Sequence, residues 1–193
     1  YTFDVTPDGD GEVTVDIATG VAEDAATNGN AAATQLSVTT DGTAPTVELT
    51  SDATDPQSGP FTVTATFSEA VTGFELSDVS VGNGNASDFS STSASVYTFD
   101  VTPDGDGEVT VDIATGVAED AATNGNAAAT QLSVTTDQTP PTVTLTGPTG
   151  LVTEDFTVTF TFSESVNDFA ADDITVTNGT RGAFAGSGTT YTL

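Results

Sequence analysis

In the stretch FTVTATF (Phe61–Phe67), Phe61, Val63, Ala65 and Phe67 alternate with threonines. A period of two puts the apolar side chains on one face and the hydroxyls on the other, as in a half-buried β-strand. Seven such runs are predicted in the middle of the chain: Pro45–Thr50, Phe61–Phe67, Val79–Gly82, Ser87–Thr92, Val96–Val101, Glu108–Ile113 and Thr130–Thr136. Gly, Asn, Asp and Pro interrupt them at a spacing of about 8–12 residues, the signature of an antiparallel β-sandwich. Only the alanine-rich Val117–Ala129 has helical propensity, and its Asn-Gly-Asn centre predicts a long loop with one helical turn.

The pattern is also periodic on a larger scale. Tyr1–Asp41 recurs without change at Tyr97–Asp137, an offset of 96 residues. The match then continues more loosely. Asp41–Thr50 aligns with Asp137–Thr146, Phe61–Val71 with Phe156–Val166, Phe74–Gly84 with Phe169–Gly179, and Ser95–Phe99 with Thr189–Leu193. The expected organisation is therefore 1–41 as the back part of one repeat, 42–137 as a complete repeat and 138–193 as the front part of a third. A unit of this size can bury an adequate core. The chain starts at Tyr1, without a methionine or a visible signal peptide, and reads as a window on a longer tandem array.

Alternating strand directions sort the loops to two ends. An odd number of strands makes the chain enter each repeat at one end and leave at the other, which predicts end-to-end stacking. Each unit should then extend about 35–45 Å. The octapeptide TPDGDGEV, at Thr6–Val13 and Thr102–Val109, falls at the exit end beside the linker aspartate. Its local chemistry predicts a hairpin turn, since Asp-Gly tolerates positive φ. The expected junction gathers Asp8, Asp10 and Asp41 opposite Glu69, Glu119 and Asp120; the next one brings Asp104, Asp106 and Asp137 to Glu164 and Asp173.

Charge makes these junctions chemically pointed. The chain carries 29 acidic residues, one basic residue (Arg181) and no histidine, for a formal charge of -28. Clustered carboxylates without a cation repel unless protonated or metal-bound. Calcium takes six to eight oxygen ligands in flexible geometry and is the expected ion. Magnesium is more demanding in geometry, and zinc prefers nitrogen and sulfur ligands. The turn is not an EF-hand: counted from Asp104, Val109 occupies the glycine position and Thr115 the final glutamate position. In the AEDAATNGN loop, Glu119, Asp120, Asn124 and Asn126 are candidate ligands and equally a solvated loop, while Asp100 and Asp112 read as a solvated strand face.

The same composition narrows the function. A polyanion cannot neutralise phosphates, so nucleic acid is not an expected partner, and anionic membrane surfaces repel it. No apolar run is long enough for a membrane-spanning helix. With no Cys or Lys there are no disulfides and no lysine isopeptide staples. The lack of Cys, His and Lys also leaves few nucleophiles or bases for catalysis. Two sequons, Asn85-Ala86-Ser87 and Asn178-Gly179-Thr180, are too common a pattern to weigh.

TAPTV, TFSEAVTGFELSDVSVGNG and DGEVTVDIATGVAEDAATNGNAA together resemble the bacterial Ig-like repeats of giant secreted adhesins and biofilm matrix proteins. The resemblance covers essentially the whole chain. It departs at AEDAATNGN, where many relatives have an Ala-Gly-Asn turn. It implies all-β, tandem Ig-like (fibronectin III-like) seven-stranded sandwiches stacked end to end, at the bacterial cell surface or outside the cell. It further implies a stalk or extender role, often stiffened by calcium (Ca2+). The expected partners are neighbouring repeats and other copies of the fibre. A self-assembling filament with strand exchange or lateral pairing, and a carbohydrate- or ice-binding module, the latter using the threonine faces, are the alternative functions.

Overall fold

The computed structural model describes all 193 residues. The fold divides into two units, Tyr1–Gln138 and Thr139–Leu193. The first begins with a two-stranded antiparallel ribbon, β1 (Gly11–Val15) and β2 (Leu36–Thr40). The complete repeat follows: β3 (Val47–Ser51), β4 (Phe61–Phe67), β5 (Val79–Gly82), β6 (Gly84–Ser93), β7 (Val96–Pro103), β8 (Gly107–Ile113) and β9 (Leu132–Thr136). All seven predicted strands are present. A short 3-10 turn at Leu76–Asp78 was not predicted; the Asp78 carboxylate accepts the Glu75 N–H at 2.8 Å across it. The expected helical turn in Val117–Ala129 does not form, because the Asn-Gly-Asn segment bridges back on Glu119 instead.

Two sheets form, one in the order β3-β4-β7-β6 and one in the order β5-β8-β9. This is the strand order of a constant-type Ig sandwich. The inward alternation predicted for β4 holds throughout: Phe61, Val63, Ala65 and Phe67 are buried, with β7 delivering Tyr97, Phe99 and Val101 and β8 delivering Val109, Val111 and Ile113. An aromatic cluster closes one end of the core, with Phe67, Phe74 and Phe89 around Tyr97 at centroid distances of 5.1 to 5.9 Å. The Tyr97 hydroxyl donates to the Val71 and Ala94 carbonyls, both at 3.3 Å, so the buried phenol is satisfied.

One expectation is corrected. TPDGDGEV is not a hairpin: β7 pairs with β4 and β6, whereas β8 pairs with β5 and β9. The turn therefore carries the chain from one sheet to the other. The reason lies in the flanking apolar positions. β7 and β8 both direct every second side chain into the same core, so the strands face each other across the sandwich and do not lie edge to edge. Gly107 makes the crossing at φ 122°, a conformation closed to most side chains.

Thr139–Leu193 builds one sheet, from β10 (Val143–Thr146), β11 (Thr159–Phe162), β12 (Ala185–Ser187) and β13 (Thr190–Thr192) in the order β10-β11-β13-β12. This repeats the order of the larger sheet above. Phe162, Phe169 and Phe184 surround Tyr191 as their counterparts surround Tyr97. No strand corresponding to β5 forms between β11 and β12.

The duplicated sequence isolates the effect of tertiary context. Phe99 is 0% exposed, whereas Phe3, in identical local sequence, is 74% exposed. Replacing Phe99 with Ala should therefore cost about 3–5 kcal/mol. Phe3→Ala should stay within about 0.5 kcal/mol. Urea unfolding of the two variants, followed by circular dichroism, checks the difference.

Candidate metal centre

The linker between β2 and β3 carries the first half of the site. Asp10, the second aspartate of TPDGDG, receives two linker donors: the Gly42 N–H at 2.7 Å on Oδ1 and the Thr43 hydroxyl on Oδ2. Thr40 fastens the base of the same turn, its hydroxyl donating to the Gly9 and Gly11 carbonyls at 2.9 and 3.2 Å. Asp41 accepts the Thr43 N–H at 3.1 Å through Oδ1. The linker thus leaves the ribbon with its backbone held and the Asp41 carboxylate exposed.

Two loops of the complete repeat supply the rest. Thr72 and Glu119 exchange backbone hydrogen bonds at 2.7 and 3.0 Å, which joins the loop after β4 to the loop after β8. The second loop is organised by Asn126, which is fully buried. Its Oδ1 accepts the Val117 and Ala118 N–H groups, each at 2.9 Å, and its Nδ2 donates to the Ala114 and Ala127 carbonyls at 2.9 and 2.8 Å. Every donor and acceptor direction of that amide is used, so Asn126 is a structural hub and offers nothing to a ligand.

Asp120 sits just inside this loop and is 4% exposed. Its Oδ1 accepts the Ala122 N–H at 2.8 Å and the Asn124 N–H at 2.9 Å, and its Oδ2 accepts the Asn124 side-chain amide at 2.9 Å. The same amide donates to the Asp41 carbonyl at 3.1 Å. Asn124 is therefore the link between loop and linker. The outcome is a cluster in which Asp41, Glu69 and Asp120 each place a carboxylate oxygen within 4.8 Å of the others.

The acids of this cluster titrate in opposite directions. Desolvation raises the Glu69 carboxyl above its ordinary value, and the charges of Asp41, Asp120 and Asp10 add to the rise. Burial also pushes Asp120 up, but the bonds from Asn124, Ala122 and Thr123 outweigh it and hold Asp120 below the usual value. Asp10 is lowered by the Thr43 hydroxyl and then by the Gly42 N–H. Within the cluster, then, Asp120 is a stabilised anion and Glu69 a carboxylate whose ionisation is opposed, with the stabilised Asp10 close enough for its charge to be felt.

Of the eleven acids expected at the two junctions, three are brought together, and Asp173 accepts the Ala170 N–H at 2.8 Å in its own 3-10 turn. Glu119 lies next to them but contributes its backbone, and its side chain is exposed. Asp10 is occupied with the linker, and Asp8 is exposed on the turn. Asp104 accepts the Asn85 amide at 2.8 Å, and Asp106 accepts the Gln138 N–H at 2.6 Å, the counterpart of the bond from Gly42 to Asp10. The Asp137 N–H donates to Gln57 at 3.0 Å, and Glu164 is half-buried just after β11. Sequence reasoning took Asn124 as a candidate ligand, whereas the structure uses it as a tie. Its position opposite a backbone carbonyl 83 residues away left no local signal.

A two-sheet Ig-like sandwich with acidic linkers, in a chain whose sequence repeats, defines a class of modular tandem domains. The family model for the bacterial Ig-like domain matches residues 41–136 and again 137–193, and the chain belongs to that family. No curated protein matches it. A structure of FdeC, an Escherichia coli adhesin, aligns over 99% of this chain and 77% of its own, at 15% identity and a TM-score of 0.40. A likeness that loose carries no argument.

The opposed shifts predict a two-limbed pH profile in chelator-treated protein. Glu69 binds its proton more tightly folded than unfolded, so acidifying toward the region just above 4.5 should stabilise the complete repeat. Asp10 and Asp120 are lowered from 3.8, so their contribution, present above that value, should be lost as pH falls below it. Glu69→Gln should flatten the upper limb and leave the lower one. Thermal midpoints of wild type and variant across this range provide the check.

Proposed function

We propose that this chain is part of an extracellular or cell-surface stalk, in which non-enzymatic Ig-like repeats act as spacers and calcium stiffens the linkers between them. The observation that carries the calcium reading is the convergence of Asp41, Glu69 and Asp120 at the point where a linker enters the complete repeat. The donor set suits the ion. All three ligands are carboxylates, and the chain's one guanidinium is engaged elsewhere, with Asp172 at 2.8 Å. Oxygen-rich, irregular sites of this kind favour calcium over magnesium or zinc.

The physical role follows from where the three acids originate. Asp41 belongs to the linker, Glu69 to the loop after β4 and Asp120 to the loop after β8. A cation shared by all three would offset the desolvation and the neighbouring charges that raise Glu69, and tie the linker to two loops at once. By repeat alignment, Asp137 corresponds to Asp41 and Glu164 to Glu69, so the sequence carries two of the three acids to the following linker.

Calcium should raise the unfolding midpoint of the chain. At a hundredfold excess over its dissociation constant, one site adds about 2.7 kcal/mol. Glu69→Gln and Asp120→Asn should each abolish most of that gain, and small-angle scattering should report a less extended ensemble once the ion is chelated. Identical midpoints and scattering profiles in calcium and in chelator would sink the proposal.

A further inference from the structure

The Asn124–Gly125 pair is required by the fold for two separate reasons. Asn124 ties the Asp120 carboxylate to the Asp41 carbonyl through one amide nitrogen, at 2.9 and 3.1 Å. Gly125 passes so near Gly116 that a Cβ at position 125 would lie 3.1 Å from the Gly116 Cα. Any side chain at position 125 would press on the Gly116 backbone, so the tie residue Asn124 is followed by a glycine. Such a pair is chemically labile, because glycine leaves the following backbone nitrogen unshielded.

The hydrogen bonding also leaves that nitrogen available. The bridge between Glu119 and Gly125 is made by the Asn126 N–H to Ala118 at 2.9 Å and the Asp120 N–H to Asn124 at 3.2 Å. The Gly125 N–H takes part in neither bond, and Gly125 is exposed to water.

We propose that Asn124–Gly125 is a deamidation site whose conversion releases the linker from the loop. The Gly125 backbone nitrogen, losing its proton, attacks the side-chain carbonyl carbon of Asn124. The bond from that carbon to the amide nitrogen breaks, and ammonia leaves. Water then opens the resulting five-membered succinimide at either carbonyl, giving aspartate or isoaspartate. One water is consumed, one ammonia is released, and nothing is oxidised or reduced.

Either product replaces a two-hydrogen donor with a carboxylate. The two bonds that held Asp120 and Asp41 become contacts between like charges or between a charge and a lone pair, beside Asp41, Glu69 and Asp120. Isoaspartate also lengthens the backbone where Gly116 and Gly125 are in tight contact. The event is independent of any bound metal, so its test stands apart from that of the calcium proposal.

The duplicated sequence complicates the test, because Asn28–Gly29 lies in an identical peptide. The 193-residue chain carrying Asn28→Gln removes that ambiguity, and Asn83→Gln and Asn178→Gln added to it silence the other Asn-Gly pairs, Asn83–Gly84 and Asn178–Gly179. It is aged in chelator at mildly alkaline pH, digested at acidic residues and read by electron-transfer fragmentation. Aspartate and isoaspartate should accumulate at position 124, and the aged protein should unfold at a lower temperature than fresh protein. Asn124→Asp, made at the outset, should reproduce the lower midpoint; Asn124→Ser, which removes the donors without adding charge, should fall between it and wild type. An aged chain with Asn124 intact overturns the site. An Asn124→Asp chain that melts with wild type overturns the release.

Discussion

Face-to-face packing of β7 against β8 is the constraint on which the other features rest. Each strand directs every second side chain into the core, with Phe99, Val101, Val109 and Val111 essentially excluded from water. Burial on this scale is the main driving force of a domain with no disulfides and few ion pairs. Once β7 and β8 belong to opposite sheets, the turn between them must cross the end of the sandwich. Crossing there is what carries the aspartates of TPDGDG to the exit of the repeat, beside the linker. In Tyr1–Asp41 the same residues form a two-stranded ribbon with Tyr1 and Phe3 in water, yet Asp10 still reaches Gly42. The turn and its clamp are therefore local, while the core is not.

Electrostatics acts against this packing and shapes the loops. The chain has almost no cationic side chains, so its acids are managed by neutral donors. Asp10 uses a backbone N–H and a hydroxyl, Asp120 uses two backbone N–H groups and an amide, and Asp104 uses the Asn85 amide. Hydrogen bonds to a carboxylate stabilise its ionised form, and they hold Asp10 and Asp120 below the ordinary carboxylate value. Glu69 has no such donors and absorbs the resulting strain, as desolvation and three neighbouring charges oppose its ionisation. The cluster is thus unevenly satisfied, and the deficit falls on one residue.

Much of this was legible in the residues, for identifiable reasons. The strand from Phe61 to Phe67 is visible because alternation is strict and the breaks on either side are Pro and Ser-Glu. The convergence of Asp41, Glu69 and Asp120 could be anticipated from counting strands, since an odd number sends linker and upper loops to the same place. The crossing at TPDGDG was not legible. Local turn chemistry reads the same whether the next strand pairs with its neighbour or with a strand of the other sheet. Asn126 and Asn124 were equally opaque, because an Asn-Gly-Asn string specifies a bend but not which amide turns inward. Only the burial of one and the long-range bond of the other separate their roles.

The linker bonds show how repeats can diverge and still keep one junction. Asp10 accepts from the backbone N–H of Gly42, and Asp106 accepts from the backbone N–H of Gln138. The acceptor is a side chain that must remain aspartate, but the donor belongs to the main chain. Any residue except proline can supply it at that position. The linkers DGTAP and DQTPP satisfy this condition while differing in side chain, and both place their prolines further along. Selection for a constant entry geometry therefore falls on the second aspartate of the turn and on the loop acids. The side chain at the donor position, Gly42 or Gln138, is left free to vary, whereas Asp41 and Thr43 have contacts of their own.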